Sequence, residues 1–331
     1  MTLRRRGVMR ECDARTQGAP IACLWGRPRT KQRAAQRVPT AQGFVLIRVQ
    51  KADRWIDADV RRRITANLLK AFVLVGGLAV LAGGLGWVIG AKRSAGLFAF
   101  CALLAAIAVY WLGDRVLLGM LGARPFALAE DPLLRSATDR VSAQLQIVPP
   151  RLCLIDDGFP RAFVVGRGPG SATLTVSTGL LRVLHRNELE AVIAHELAHV
   201  RSLDVLTQTF AVLLSTTLVE ASRIGGFLAQ ALLFVLAPVG AAFTHALLSP
   251  KREFAADRDA ARIGNPHDLA DALLRLDRAS ELVAFAASPA TEPLFTVDPF
   301  DRDRVSRMFR THPPLAERIA RLRALEPGET P

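Results

Sequence analysis

The pentapeptide His195-Glu196-Leu197-Ala198-His199 places two imidazoles four residues apart with a carboxylate beside them. On an α-helix a four-residue step turns the chain by about 40° beyond one full turn, so both rings leave the same face and reach one ion. Two imidazole ligands and an adjacent carboxylate are what zinc-dependent amide hydrolysis requires: a grip on the metal and a general base for water. That chemistry needs a stable helix, and segment 187–202 supplies one. Asn187 is a good N-cap type, and Glu190 stands three positions on, in the capping-box place. Leu189, Val192, Ile193, Leu197 and Val200 recur at helical spacing and give the segment a buried face.

A catalytic zinc usually keeps three protein ligands and one open position. The third candidate is Glu253, within Arg252-Glu253-Phe254-Ala255-Ala256-Asp257. Glu253 and Asp257 are four apart and face the same way on a helix. One can bind metal while the other accepts the free N–H of a ligating histidine. A solvated helix with Arg252, Arg258 and Asp259 in local pairs fits the same spacing equally well. The four cysteines, Cys12, Cys23, Cys101 and Cys153, show no Cys-x-x-Cys spacing and offer neither a disulfide framework nor a thiolate site. His185, His245 and His267 fall outside any motif and read as structural.

The elements that must position these groups follow from hydropathy and turn signals. Residues 71–91 and 94–113 carry no charged side chain over 21 and 20 positions, each enough to cross a bilayer as a helix. Weaker apolar stretches at 205–221 and 224–248 fit further spans, re-entrant pieces or buried core helices. Residues 1–67 hold fourteen Arg and two Lys against five acids, so most of the net charge of +13 precedes the first run. By the positive-inside rule that end stays cytoplasmic, and two spans return the motif to the same side. The basic arm lacks interleaved aromatics and any recognisable nucleic-acid-binding pattern, so no nucleic-acid partner is expected; attraction to anionic lipid is. Between the spans and the motif, 130–147 has helical periodicity. Short β-like pieces follow at 152–155, 162–165 and 172–177, separated by Asp157-Gly158 and Gly166-Arg167-Gly168-Pro169-Gly170. After Pro250 come a charged helix, a helix over 268–285, a loop with Phe295, Phe300 and Phe309, and an amphipathic helix over 315–325. The expected fold is α+β and mostly helical, with a small β-sheet beside the motif helix and two to four transmembrane helices. Its parts are a basic, disordered cytoplasmic arm (1–67), two transmembrane helices (68–120) and a metal-binding domain (121–331).

Three motifs in order carry a resemblance: His195 to His199 followed by Val200-Arg201-Ser202-Leu203-Asp204, then Ser249-Pro250-Lys251-Arg252-Glu253-Phe254-Ala255-Ala256-Asp257, then Thr311-His312-Pro313-Pro314. Residues 60–325 resemble the HtpX-type membrane zinc metalloproteases, bacterial relatives of the CAAX prenyl endopeptidases. The resemblance implies an inner-membrane endopeptidase facing the cytoplasm that degrades misfolded or damaged membrane proteins, with one zinc ion per chain and Glu253 as third ligand. A homo-oligomer is compatible with it. Glu196 is then the general base, taking a proton from water and passing it to the leaving amine. Asp257 orients a ligating histidine, and His312 is a candidate oxyanion donor or substrate contact. Asp204 matches the family pattern without a derivable role. The family often has an Asn-Ala-Phe-Ala strand against the substrate. Here Arg161-Ala162-Phe163-Val164 stands in its place, so backbone pairing is retained and Arg161 is expected to favour acidic substrate residues. A site-two-type intramembrane protease is disfavoured by the polar flanks of the motif, including Glu188, Glu190, Arg201 and Asp204. The competing readings are a prenyl-protein-type endopeptidase and a catalytically latent membrane quality-control adaptor.

Overall fold

Helical backbone runs from Ala58 to Met120 and contains two long apolar helices, α1 (Ala58–Gly90) and α2 (Arg93–Met120). They fold back on each other at residues 91–92. A Cβ at Gly83 would lie 3.5 Å from that of Ala99, and one at Gly86 would meet the Ser94 carbonyl oxygen at 2.6 Å. Glycine and alanine allow this close approach, as they do between helices in a bilayer. The computed structural model describes residues 37–40, 43–46, 58–127, 130–221, 241–242, 244–245, 247–282 and 312–326.

The helices are apolar on nearly every side. Phe72, Val80 and Val88 are 77%, 74% and 83% exposed, which water would not tolerate over so long a surface. At 33 residues α1 is about 50 Å long, against about 30 Å for a bilayer's hydrocarbon core. The residues before Ala71 therefore extend past the lipid. The helix begins at Ala58, ten residues ahead of the expected boundary, because Val60, Arg63 and Asn67 dock on the rest of the protein.

Four strands form a sheet in the order β3 (Arg124–Pro125), β4 (Arg151–Ile155), β6 (Thr173–Ser177), β5 (Ala162–Val165). β4 and β6 run parallel; β3 and β5 are antiparallel to their neighbours. The glycine-rich turn after β5 is needed where Gly166 adopts φ +148° with the Ser171 carbonyl pressed against it. Alternation assigns the two faces. Leu152, Leu154, Ala162, Val164, Leu174 and Val176 join the main core. Ile155, Phe163 and Val165 turn the other way, onto Leu117 of α2 and Val212.

Around the sheet lie α3 (Pro132–Leu145), α4 (Thr178–Val183), α5 (Arg186–Arg201), α6 (Asp204–Ala221), α7 (Lys251–Ile263), α8 (Pro266–Leu282) and α9 (Leu315–Arg323). α5 is the central helix, packed against α3, α7 and α8. Its start differs from the expected one. His185 takes the N-cap position, and the Glu188 carboxylate accepts from its backbone N–H at 2.7 Å. Glu190 instead pairs with Arg140 on α3 at 2.6 Å, so tertiary pairing decided between two cap patterns. α6 covers the stretch read as a further membrane segment. Its side chains from Val205 to Thr209 are buried, and it packs against the helical hairpin. Most of 224–248, and Phe295, Phe300, Phe309 and Thr311, lie outside the described residues.

Ahead of this body, within the arm expected to be disordered, β1 (Arg37–Thr40) pairs antiparallel with β2 (Gly43–Leu46), Arg37 opposite Leu46. The remainder of residues 1–57 lies outside the described residues.

Candidate metal centre

His195 and His199 emerge from the buried face of α5, 1% and 4% exposed, with ring centroids 5.0 Å apart and planes perpendicular. α7 crosses α5 and brings Glu253, 1% exposed, against both rings. Its Oε2 lies 3.4 Å from His195 Nε2, and its Oε1 lies 3.6 Å from His199 Nε2. One ligand atom from each of these three residues falls within a 4.8 Å cluster, the one group of this kind among the described residues. Both oxygens of Glu253 are buried without a hydrogen bond among those residues. Arg252 Nε stands 3.1 Å from Oε1 and His312 Nδ1 3.2 Å from Oε2, so the buried carboxylate has polar neighbours without hydrogen-bond geometry, and a metal ion would complete its coordination. The donor set, two imidazoles and a carboxylate, fits a zinc ion.

A second ring of groups holds the first. Asp257, one turn beyond Glu253 on α7, places Oδ1 2.8 Å from His195 Nδ1. Asp257 is itself gripped by Arg318 of α9, whose Nη2 and Nε donate to its two oxygens at 2.7 and 2.9 Å. On the other side, Asp204 Oδ2 lies 3.2 Å from His199 Nδ1. The turn from α5 into α6 sets this contact. Leu203 adopts φ +59°, a conformation that costs a side chain with a Cβ about 1–2 kcal/mol, and the reversal carries Asp204 back beneath His199. Ser202 Oγ donates to Asp204 at 2.7 Å, and Asn67 Nδ2 donates to its other oxygen at 2.5 Å.

The electrostatics favour a cation in the middle. Burial by itself lowers the His195 pKa, yet Asp257 and Glu253 outweigh it and hold the ring's pKa at about 9. Burial raises Asp257, but the Arg318 guanidinium and His195 bring it down to about 2. Glu253 is held well below its ordinary range despite burial, chiefly by His312 and His199. Asp204 is lowered against burial by His199.

The remaining expected residues are distributed unevenly. Glu196 is 5% exposed and lies between the two ligand histidines in sequence, near enough for its charge to act on Arg318. His312 reaches the cluster, with Nδ1 3.2 Å from Glu253 Oε2. β5 runs beside α5 at the end of the sheet. Ala162 and Phe163, each 1% exposed, point into the two cores, so a partner strand would meet their backbone and not their side chains. Arg161 is also buried, its guanidinium 2.8 Å from Asp157, and is not presented to acidic residues of a substrate. His185, His245 and His267 lie outside the metal-binding group.

Arg318 and Asn67 escaped the sequence reading. Arg318 left one signal: it occupies the stripe of Leu315 and Leu322 on an amphipathic helix, where an apolar residue is expected. Asn67 left none, since 135 residues separate it from Ser202, whose carbonyl oxygen it also contacts.

The chain is similar to known proteins over most of its length. The profile of Peptidase family M48 matches residues 129–326. A Protease HtpX homolog from Pelotomaculum thermopropionicum is 35% identical over 78% of this chain and 99% of its own. One from Salinibacter ruber is 40% identical over 64% of this chain and 81% of its own. One from Pyrococcus abyssi is 35% identical over 78% of this chain and 97% of its own. The crystal structure of S. mikatae Ste24p superposes at a TM-score of 0.43 and 15% identity, over 80% of this chain and 66% of that one, too loosely to carry weight. On the family profile and these HtpX relatives, and with its buried His195-His199-Glu253 cluster, the chain belongs to peptidase family M48 and, within it, to the HtpX-type membrane metalloproteases.

Proposed function

We propose that this protein is a zinc endopeptidase of the bacterial inner membrane that cleaves misfolded or damaged membrane proteins on the cytoplasmic side. The observation that carries the reading is the buried cluster of His195, His199 and Glu253, one ligand atom of each within 4.8 Å of the others, with an aspartate oxygen facing the far nitrogen of each histidine. His195, His199 and Glu253 hold the ion, which when bound supplies Lewis-acid polarisation of water and of the scissile carbonyl. Glu196 removes a proton from the attacking water and returns it to the leaving amine. Asp257 and Asp204 fix the ring orientations of His195 and His199. His312, beside Glu253, donates to the developing oxyanion or to the substrate. An extended substrate lies along the outer side of β5, paired through its backbone.

The orientation has its own support. Arg61, Arg62, Arg63 and Lys70 precede the first span, whereas Lys92 and Arg93 alone occupy the hairpin turn. The site lies beside the extension of α1 that carries these basic residues.

The test is cleavage of casein, and of the protein itself, by the detergent-purified full chain with added zinc, beside Glu196→Gln. The native protein should cleave, and a chelator should stop it. The variant should bind zinc yet be slower by at least about 10²-fold, the usual contribution of a general base. A variant as active as the native protein would remove Glu196 from the role.

A further inference from the structure

The extension of α1 beyond the lipid presents one face to the protein. Val60, Arg63, Asn67, Lys70 and Leu74 follow one another at three- and four-residue steps and all turn inward. Arg63 Nη2 donates to Asp259 at 2.8 Å, and Lys70 Nζ donates to the Leu247 carbonyl oxygen at 3.0 Å. Between these two anchoring contacts Asn67 does something different. It is 6% exposed, and its Nδ2 donates both to Asp204 Oδ1 at 2.5 Å and to the Ser202 carbonyl oxygen at 3.1 Å. Asp204 Oδ2 then faces His199 Nδ1 at 3.2 Å. A membrane helix thus carries a side chain two contacts away from a metal ligand.

We infer that Asn67 is a positioning residue of the metal centre, through which the first membrane helix sets the orientation of His199. An aspartate that orients a ligating imidazole must itself be held, because its carboxylate otherwise rotates and the ring follows. The strained turn at Leu203 brings Asp204 into place but leaves its side-chain rotation free. Ser202 Oγ at 2.7 Å holds the oxygen facing His199, and Asn67 holds the other. The two clamps meet at right places in the chain: one beside Asp204 in sequence, the other on a separate element whose position follows from the bilayer. A displacement of α1 along its axis would release the second clamp alone and weaken the grip on metal while leaving the ligands present. The inference rests on the reading that His195, His199 and Glu253 hold zinc, and its test separates the two.

The experiment measures zinc dissociation constants by chelator competition on the full chain in detergent, for the native protein, Asn67→Leu, Lys70→Met and His199→Ala. Visible absorption of the cobalt-loaded forms reports the geometry around the metal. His199→Ala should lose zinc; if it binds as tightly as the native protein, the metal reading itself fails. Given that loss, Asn67→Leu should bind zinc about tenfold more weakly and alter the cobalt spectrum, at the lower end of the effect of removing a residue that supports a ligand. Lys70→Met, which loosens the same helix face and removes a charge that acts on Asp204 but no hydrogen bond to it, should keep the native cobalt spectrum and lose less affinity than Asn67→Leu. Native affinity and spectrum in Asn67→Leu would overturn the inference. Equal loss in Asn67→Leu and Lys70→Met would also overturn it, assigning the effect to docking of the helix. If Asn67→Leu does not fold, Asn67→Ser carries the same prediction, since its short side chain cannot reach Asp204.

Discussion

Arg318 shows how much of this site depends on one buried side chain. It is 1% exposed, and its planar fork matches the two oxygens of Asp257, which in turn stands against His195. Removing one member of a buried pair leaves the other charge without compensation, at about 3–5 kcal/mol. Arg318→Ala should therefore unfold in urea with that much less stability in the metal-free protein. Arg318→Lys retains the charge but not the fork, and should lose about 1.5–3 kcal/mol. An alanine variant as stable as the native protein would contradict this. The acid dependence follows with its sign. Asp257 titrates at about 2 here against about 3.9 in an unfolded chain, so its stabilisation is complete above pH 4 and lost as pH falls through 2. In Arg318→Ala that loss should come at a higher pH.

At the scale of elements, the helical hairpin depends on what its glycines leave out. A Cβ at Gly86 meets backbone of the facing helix, the Ser94 carbonyl at 2.6 Å and Ala95 Cα at 3.0 Å, whereas nothing stands within 4 Å of one at Gly84. Gly86→Leu should destabilise the detergent-solubilised protein by about 1–3 kcal/mol, as overpacking does, while Gly84→Ala should leave its thermal melt near native. The same scale shows what sequence could and could not convey. Strands at 151–155, 162–165 and 173–177 were legible because glycine and proline turns bracket β-branched runs. The four-residue step from Glu253 to Asp257 fitted a solvated helix as well as a metal site, so spacing alone left Glu253 open, and only the order of the three motifs in the family resemblance pointed to it. The cap of α5 was misread because Asn187 with Glu190 and His185 with Glu188 are both cap-like. Contacts to Arg140 and Arg275, distant in sequence, settled the choice. The supports of the site were largely illegible for the same reason: Arg318, Asp204 and Asn67 meet the histidines only after α9, α6 and α1 have docked on α5.

For the whole molecule, the proposed cytoplasmic orientation rests on charge. The basic residues flanking α1 and the metal centre share one end of the hairpin, and the turn at 91–92 occupies the other. In a chain freed of its native cysteines, Lys92→Cys should react with a membrane-impermeant maleimide in intact spheroplasts. Glu317→Cys, exposed near the site, should react only after lysis. The opposite pattern would place the site outside and remove cytoplasmic clients as substrates.

The central claim is that His195, His199 and Glu253 hold one metal ion on which proteolysis depends. Elemental analysis of the purified full chain measures it most directly, with native protein, Glu196→Gln and Glu253→Ala compared after identical zinc loading. The account predicts one zinc per chain in the native protein and in Glu196→Gln, and little or none in Glu253→Ala. Full occupancy in Glu253→Ala, or no zinc in the native chain, would contradict it.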